Sequence, residues 1–433
     1  MGAGAAIEGR APIRGSRPNI LLGGDLVRLA ALILVLSGFA TAAEEADLRA
    51  ALDAHRWFDL RDAMCSRKVP PLYRFFVAVA FNDERGAEKE LSTVARSGAS
   101  REQLADMHHA LYRLYYRNGH YRKAALEERQ TWALAPDFVP SAAAKADAEV
   151  VERLPDLEVA SRRPATTTFT HWPGSAKVIA PLTINEQAAQ FAIDTDASIS
   201  VTTEAEAKRL GMKMTVGQAL FDGISGERST NGRYAVADRL RIGNTEIRNV
   251  AFLVLPDDLE VLADVPLGQR GGIGLPVLLA LQTIRWNGNR ELSVGFPPGR
   301  ADLRTANLSF EELDPLTTVE VEGRRLAVDL DTGCEISDMW PLFVKELPEL
   351  LHDSRKEVTT LAGATGATAL DAAVMPELRL KVAGFPIVLR DVPALFRTTI
   401  PASNWHYGQL CMDVSTQATE FTLDFRALRI QLK

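Results

Sequence analysis

Between positions 44 and 154 apolar residues recur at spacings of three and four among many Ala, Leu, Arg and Glu, the period of amphipathic helices and not of strands. Inside that stretch Ala110, Leu111, Leu114 and Tyr115 precede Gly119, and Tyr121, Ala124 and Ala125 follow it, with Pro136 beyond; the pattern predicts two helices around a glycine turn, closed by a proline. A Pro- and Thr-containing stretch, Pro155 to Pro173, ends the helical pattern and reads as a linker. Short β-branched runs then take over, among them Val178 to Ile184, Phe191 to Ile193, Leu240 to Ile242 and Val250 to Leu255, separated by Gly, Asn and Asp. Pro297, Pro298 and Gly299 interrupt this pattern once, after which it resumes to the end. The chain thus predicts a helical domain over 44–154 and two all-β units over 174–298 and 308–433.

The helical pair around Gly119 resembles one tetratricopeptide unit, and only one such unit is convincing. A lone repeat leaves a face uncovered, so it is expected to pack against helices around Leu48 to Ala63 and Leu72 to Val94. Either a spacer or a surface for a protein partner fits such a domain. Ahead of it, Arg10, Arg14, Arg17 and Arg28 precede the apolar run Leu29 to Leu36 and the small residues Ala40, Ala42 and Ala43. That order is the order of a secretory signal, so 1–43 is expected to be a signal segment cleaved near Ala42 or Ala43, leaving no stable membrane span.

Composition narrows the function. With 46% hydrophobic and 24% charged residues and a net charge of -7, the chain has no basic surplus for a nucleic-acid backbone. The seven histidines, His55, His108, His109, His120, His171, His352 and His406, show no metal-ligand spacing, so neither a metal nor another cofactor is expected. Three cysteines, Cys65, Cys334 and Cys411, are too few for a disulfide-dense scaffold.

An internal repeat carries the chemistry. Ile193-Asp194-Thr195-Asp196-Ala197-Ser198-Ile199-Ser200 aligns with Leu330-Asp331-Thr332-Gly333-Cys334-Glu335-Ile336-Ser337 at an offset of 137 positions (331 − 194). Gly272-Ile273-Gly274-Leu275 aligns with Gln409-Leu410-Cys411-Met412 at the same offset (411 − 274), so a unit of about this length is duplicated. These residues resemble the retropepsin-like aspartic proteases, whose lobes each carry an apolar-Asp-Thr-Gly loop and a later apolar-apolar-Gly strand. The segment Gly271 to Leu278, followed by Ile284-Arg285-Trp286, is similar to the closing segment of bacterial members with an exported helical front end. The likeness spans about residues 175 to 433.

What the resemblance implies is concrete. The fold would be two tandem β-barrel lobes forming a single-chain pseudo-dimer behind the helical domain, and the protein a periplasmic monomer acting on a peptide or protein substrate. Asp194 and Asp331 would form the catalytic pair, because peptide hydrolysis needs a base to activate water and an acid to protonate the carbonyl oxygen. Thr195, Thr332 and Gly333 would support the two loops. Gly223, Ile224 and Gly226 in the first lobe, and Gly363 and Gly366 in the second, stand where the family has flaps. Ile273 and Gly274, and Leu410 and Cys411, would form the apolar-apolar-Gly strands.

The sequence departs from the family pattern at Asp196, where a glycine is usual, and at Cys411, where the strand glycine is usual. A side chain at 196 threatens to push the loop outward and adds a third carboxylate near the pair. Cys334 and Cys411 would be neighbours in this fold, either bridged or packed as two small thiols. Two functions remain open at this level: an exported aspartic endopeptidase, and a catalytically degenerate peptide- or protein-binding module.

Overall fold

The computed structural model of the chain describes residues 42–135, 142–222, 228–258, 265–363, 366–398 and 400–433. Most of positions 1–43, read from the sequence as a signal segment, and Pro136 lie outside the described residues. No helix among the described residues is long and apolar enough to cross a membrane.

Helices occupy Ala42–Asp53, Trp57–Ser66, Pro71–Ala80, Glu84–Arg96, Arg101–Arg117, Tyr121–Leu134 and Ala142–Arg153. Their starts are encoded locally. Asp83 accepts from the N–H of Gly86, and Ser100 and Gln103 form a reciprocal capping box that satisfies N–H groups left free at a helix start. Gly119, with φ +74°, turns the chain between Arg101–Arg117 and Tyr121–Leu134, and a Cβ there would lie 2.6 Å from Leu157. Phe75, Met107, Leu111, Leu114, Tyr121 and Ala124 are buried between the Gly119 helix pair and its neighbours. The expected pairing around Gly119 is therefore present.

The stretch read as a linker is instead part of the β structure. Glu158–Ser161 pairs with Thr245–Leu255, Ala165–Thr168 with Glu291–Val294, and Thr170–His171 with Val178–Ile184. These are short strands whose polar, Thr-rich faces stay largely exposed, so they lack the apolar alternation that marks a strand in sequence. The first lobe consequently begins near Glu158, not at 174.

Among the described residues each lobe is built around one large sheet, of ten strands in the first and eight in the second. The repeat is visible in the pairing. In the first lobe Gly271–Ile273 runs parallel to Gln187–Ile193 with Gly272 opposite Ala192; in the second, Gly408–Leu410 runs parallel to Arg324–Leu330 with Gln409 opposite Asp329. A separate five-stranded sheet joins the lobes, and at its centre Thr283–Asn287 pairs antiparallel with Glu420–Asp424. Its middle pair is Arg285 with Thr422, two positions equivalent under the 137-residue offset, so the register is the one a twofold relation between the lobes requires.

The helices are not a loose appendage, since residues 48–433 form one compact unit. Against the second lobe, the fully buried Arg117, held within the helices by Asn82 Oδ1 at 2.9 Å, donates to the Glu312 carbonyl at 2.6 Å and lays its guanidinium over the Phe310 ring. Trp57 Nε1 donates to Glu311 Oε2 at 2.6 Å. Against the first lobe, Tyr116, Val150 and Val151 share an apolar cluster with Tyr234, Leu253 and Ile199. Removing such a buried arginine would strand several carbonyl groups, which is the costly way to break a polar contact.

Candidate active site

Two strands deliver the paired aspartates. Gln187–Ile193 ends in the buried Ile193 and Arg324–Leu330 in the buried Leu330, so each following residue leaves the sheet at the strand's C-terminal end. The crossing strands fix the exits: Asp194 N–H donates to the Ile273 carbonyl at 3.1 Å and Asp331 N–H to the Leu410 carbonyl at 2.9 Å.

The loops then grip one another. Thr195 N–H donates to Thr332 Oγ1 at 3.1 Å, and Thr332 N–H donates to Thr195 Oγ1 at 3.0 Å. Each hydroxyl in turn donates across the lobe boundary, Thr195 to the Leu330 carbonyl at 2.6 Å and Thr332 to the Ile193 carbonyl at 2.8 Å. Both threonines are buried, so all four bonds operate away from water, where an unmade polar contact is expensive. Gly333 is pressed against the opposite carboxylate: a Cβ there would lie 2.6 Å from Asp194 Cγ. A side chain there would force the Asp194 carboxylate to move.

Asp196 does not displace its loop. Its N–H still donates to Asp194 Oδ1 at 3.2 Å, joined by the Ala197 N–H at 3.0 Å, and its φ is not in the left-handed region. The feared steric conflict is thus avoided by turning the side chain outward, where it is exposed. Its charge remains close by. Surrounding protein and then the charges of Asp194 and Asp329 push Asp196 up to about 7; its exposure to solvent weakens the first cause more than the second.

The two central carboxyls are also shifted. Burial raises Asp194, against the pull of the Ala197 and Asp196 N–H groups and of Lys177. Burial, followed by the charges of Asp196 and Asp194, holds Asp331 well above the ordinary carboxylate range, against the Gly333 N–H and Lys177. Two neighbouring carboxyls that cannot comfortably ionise together share a proton over a range of pH and titrate as a pair. Such a pair can serve as base and acid in one step.

The second departure is absorbed by a disulfide. In the first lobe a Cβ on Gly274 would lie 2.6 Å from the Ala197 carbonyl oxygen, so glycine is required there. In the second lobe the equivalent Cys411 is bonded to Cys334, with their Cα atoms 5.1 Å apart. The bridge ties the loop after Gly333 to the end of the strand carrying Leu410. Cys65 is exposed and free.

Of the flap candidates, Gly223, Ile224 and Gly226 lie outside the described residues. The strands leading to them, Ala219–Asp222 and Arg228–Ile242, do pair, with Asp222 opposite Arg228. Gly363 and Gly366 face each other at the end of the ladder formed by Arg355–Gly363 and Gly366–Val382. Among the described residues no cluster of His, Cys, Asp or Glu has a metal-binding arrangement.

Several residues near the site escaped sequence reasoning. Gln409 Nε2 donates to Asp331 Oδ2 at 2.6 Å, and the buried His406 lies 2.6 Å from Asp329. Gln409 was detectable in principle, as the one polar residue set against Gly272 in the repeat alignment. His406 has no such signature.

This architecture defines a retropepsin-like aspartic-protease fold, two tandem lobes behind a helical N-terminal domain. Residues 180–270 match the family described as aspartyl protease. Among solved structures, a retropepsin-like aspartic protease from Rickettsia conorii is similar over 32% of this chain and 94% of its own, with 18% identity and a TM-score of 0.23. Basic 7S globulin from soybean is similar over 63% of this chain and 95% of its own, with 11% identity and a TM-score of 0.37. Conglutin gamma, a basic 7S globulin from lupine seeds, covers 62% of this chain and 94% of its own, with 8% identity and a TM-score of 0.38. No curated protein sequence matches the chain.

Proposed function

We propose that this protein is an exported aspartic endopeptidase in which Asp194 and Asp331 share a proton, activate a water and protonate the carbonyl oxygen of the peptide bond. The observation that carries this reading is the reciprocal bonding of Thr195 and Thr332, which holds the two aspartate loops together across the lobe boundary. A module that only binds peptide has no need of that constraint on a buried carboxyl and a half-buried one. Both loops come from one chain, so the site is complete in a monomer.

An extended peptide would lie between the two lobes beneath the paired hairpins, adding strand-like backbone bonds. The helical domain, anchored by Arg117 and Trp57, would present a rigid surface to a substrate or protein partner. Export to the periplasm is supported by the Arg-rich, apolar and small-residue order of positions 1–43, and the Cys334–Cys411 bridge is at home in an oxidising compartment.

A catalytically silent binding protein is the second reading, favoured by one observation: the extra carboxyl of Asp196 loads the pair with a third negative group. Incubating the mature protein with a diverse peptide library from pH 3 to 8, with and without pepstatin, separates the two. Pepstatin-sensitive cleavage supports the enzyme; intact peptides with folded protein at every pH, together with measurable peptide binding, support the module.

A further inference from the structure

The repeat makes the two lobes nearly equivalent around the aspartates, and one difference falls on a reacting carboxylate itself. At the position opposite the aspartate-bearing strand the first lobe has Gly272, where even a Cβ would sit 3.9 Å from Asp194 Oδ2 and offer no donor. The second lobe has Gln409 there, and its Nε2 reaches Asp331 Oδ2 at 2.6 Å. The other oxygen of Asp331 accepts the Gly333 N–H at 2.6 Å, so this carboxylate receives an N–H on each oxygen. Asp194 takes both of its N–H bonds on Oδ1. Gln409 is partly buried, 3.6 Å from Cys334 Sγ, and its backbone is fixed by the parallel pairing with Asp329.

We propose that Gln409 is a positioning residue for one of the two aspartates, its amide fixing the carboxyl of Asp331 in place and favouring its charged form. The physics is that a hydrogen bond donated to a carboxylate stabilises the anion and is roughly twice as strong as a neutral one. Other groups face Asp331 as well. Asp194 and Asp196 oppose its ionisation, and Lys177, itself 3.9 Å from Glu335, assists it. Gln409 is a side-chain donor with no counterpart in the other lobe, because Gly272 stands at the equivalent position. The catalytic significance rests on the proposed peptidase reading; the asymmetry itself does not.

The test is therefore made without substrate. In protein labelled with ¹³C at the aspartate carboxyls, the Asp331 signal is assigned by its loss in Asp331→Asn and titrated in wild type, Gln409→Met and Gln409→Lys. Met keeps length and removes the donor; Lys restores an N–H at similar reach. The expected result is a midpoint for Asp331 higher in Gln409→Met by about one pH unit, the scale of one charge-assisted hydrogen bond, and moved back down in Gln409→Lys. An unchanged midpoint in Gln409→Met, or one that moves down because the amide was accepting a proton from Asp331, overturns the proposal. Gln409→Gly, which copies the first lobe, serves in place of Met should that variant not fold. Loss of cleavage by wild type would sink the peptidase reading and leave this result standing.

Discussion

Nδ1 of His406 lies 2.6 Å from Oδ1 of Asp329, both groups buried, and Asp329 stands on the strand that delivers Asp331 two residues later. The imidazole also lies 3.7 Å from Glu311 Oε2, and Glu311 accepts from Trp57 Nε1 and bonds His55 Nδ1 at 2.8 Å. A line of charge thus runs from the helices to the floor of the site.

Burial alone would lower His406, but Asp329 and Glu311 outweigh it and push it up to about 10. Burial would raise Glu311, yet His406 and His55 draw it down to about 2. A histidine raised on folding contributes stability that is present below its unfolded value of 6.5 and lost as pH climbs through about 10. A carboxyl lowered on folding contributes stability present above 4.5 and lost as pH falls toward about 2. Stability to urea in wild type is predicted to weaken between pH 6.5 and 10, and His406→Leu to cost roughly 3–5 kcal/mol at neutral pH by leaving Asp329 buried without its partner and Glu311 with His55 and Trp57 alone. A variant as stable as wild type at pH 7 would show that the pair contributes nothing.

Asp196 sets where the pair works. Its negative charge raises Asp331, so removing it lowers the upper apparent pKa of the pair. In Asp196→Gly the alkaline limb of the cleavage profile is expected to shift toward acid by about one pH unit. A profile superimposable on that of wild type would mean solvent screens the group completely.

The disulfide holds the second loop. Cys334 and Cys411 are separated by 77 residues, and opening so long a loop should cost roughly 2–4 kcal/mol. Chemical denaturation of Cys334→Ala/Cys411→Ala against wild type measures it. Equal midpoints would reduce the bridge to a bystander.

The threonine grip predicts a sharp contrast between substitutions. Thr332→Ser keeps an oxygen and should stay close to wild type, whereas Thr332→Val removes the acceptor for Thr195 N–H and should cost about 1–3 kcal/mol. Matched denaturation curves for Ser and Val variants would contradict the arrangement.

Much of this was legible in the sequence because two signals are local or repeated. Gly119 between apolar helical faces marks a turn through its backbone requirement, and the paired Asp-Thr loops declare a duplication through a constant offset. What escaped was non-local. Thr166 and Thr168 form an edge strand only because Glu291–Val294 supplies its partner, and no apolar alternation betrays that. His406, Asp329 and Glu311 are distant in sequence and ordinary in type; only the folded chain makes them a buried charge cluster. The consequence of Asp196 also needed coordinates, because sequence cannot say which way a side chain turns from a loop.

The most direct test of the central claim compares wild type, Asp194→Asn and Asp331→Asn on the best-cleaved peptide at the pH optimum, with folding checked by circular dichroism. A shared pair predicts that either substitution alone lowers kcat by roughly 10²–10⁴-fold while the protein stays folded. Full activity in either folded variant would contradict it, because no single carboxyl of this site could then be doing the work assigned to both.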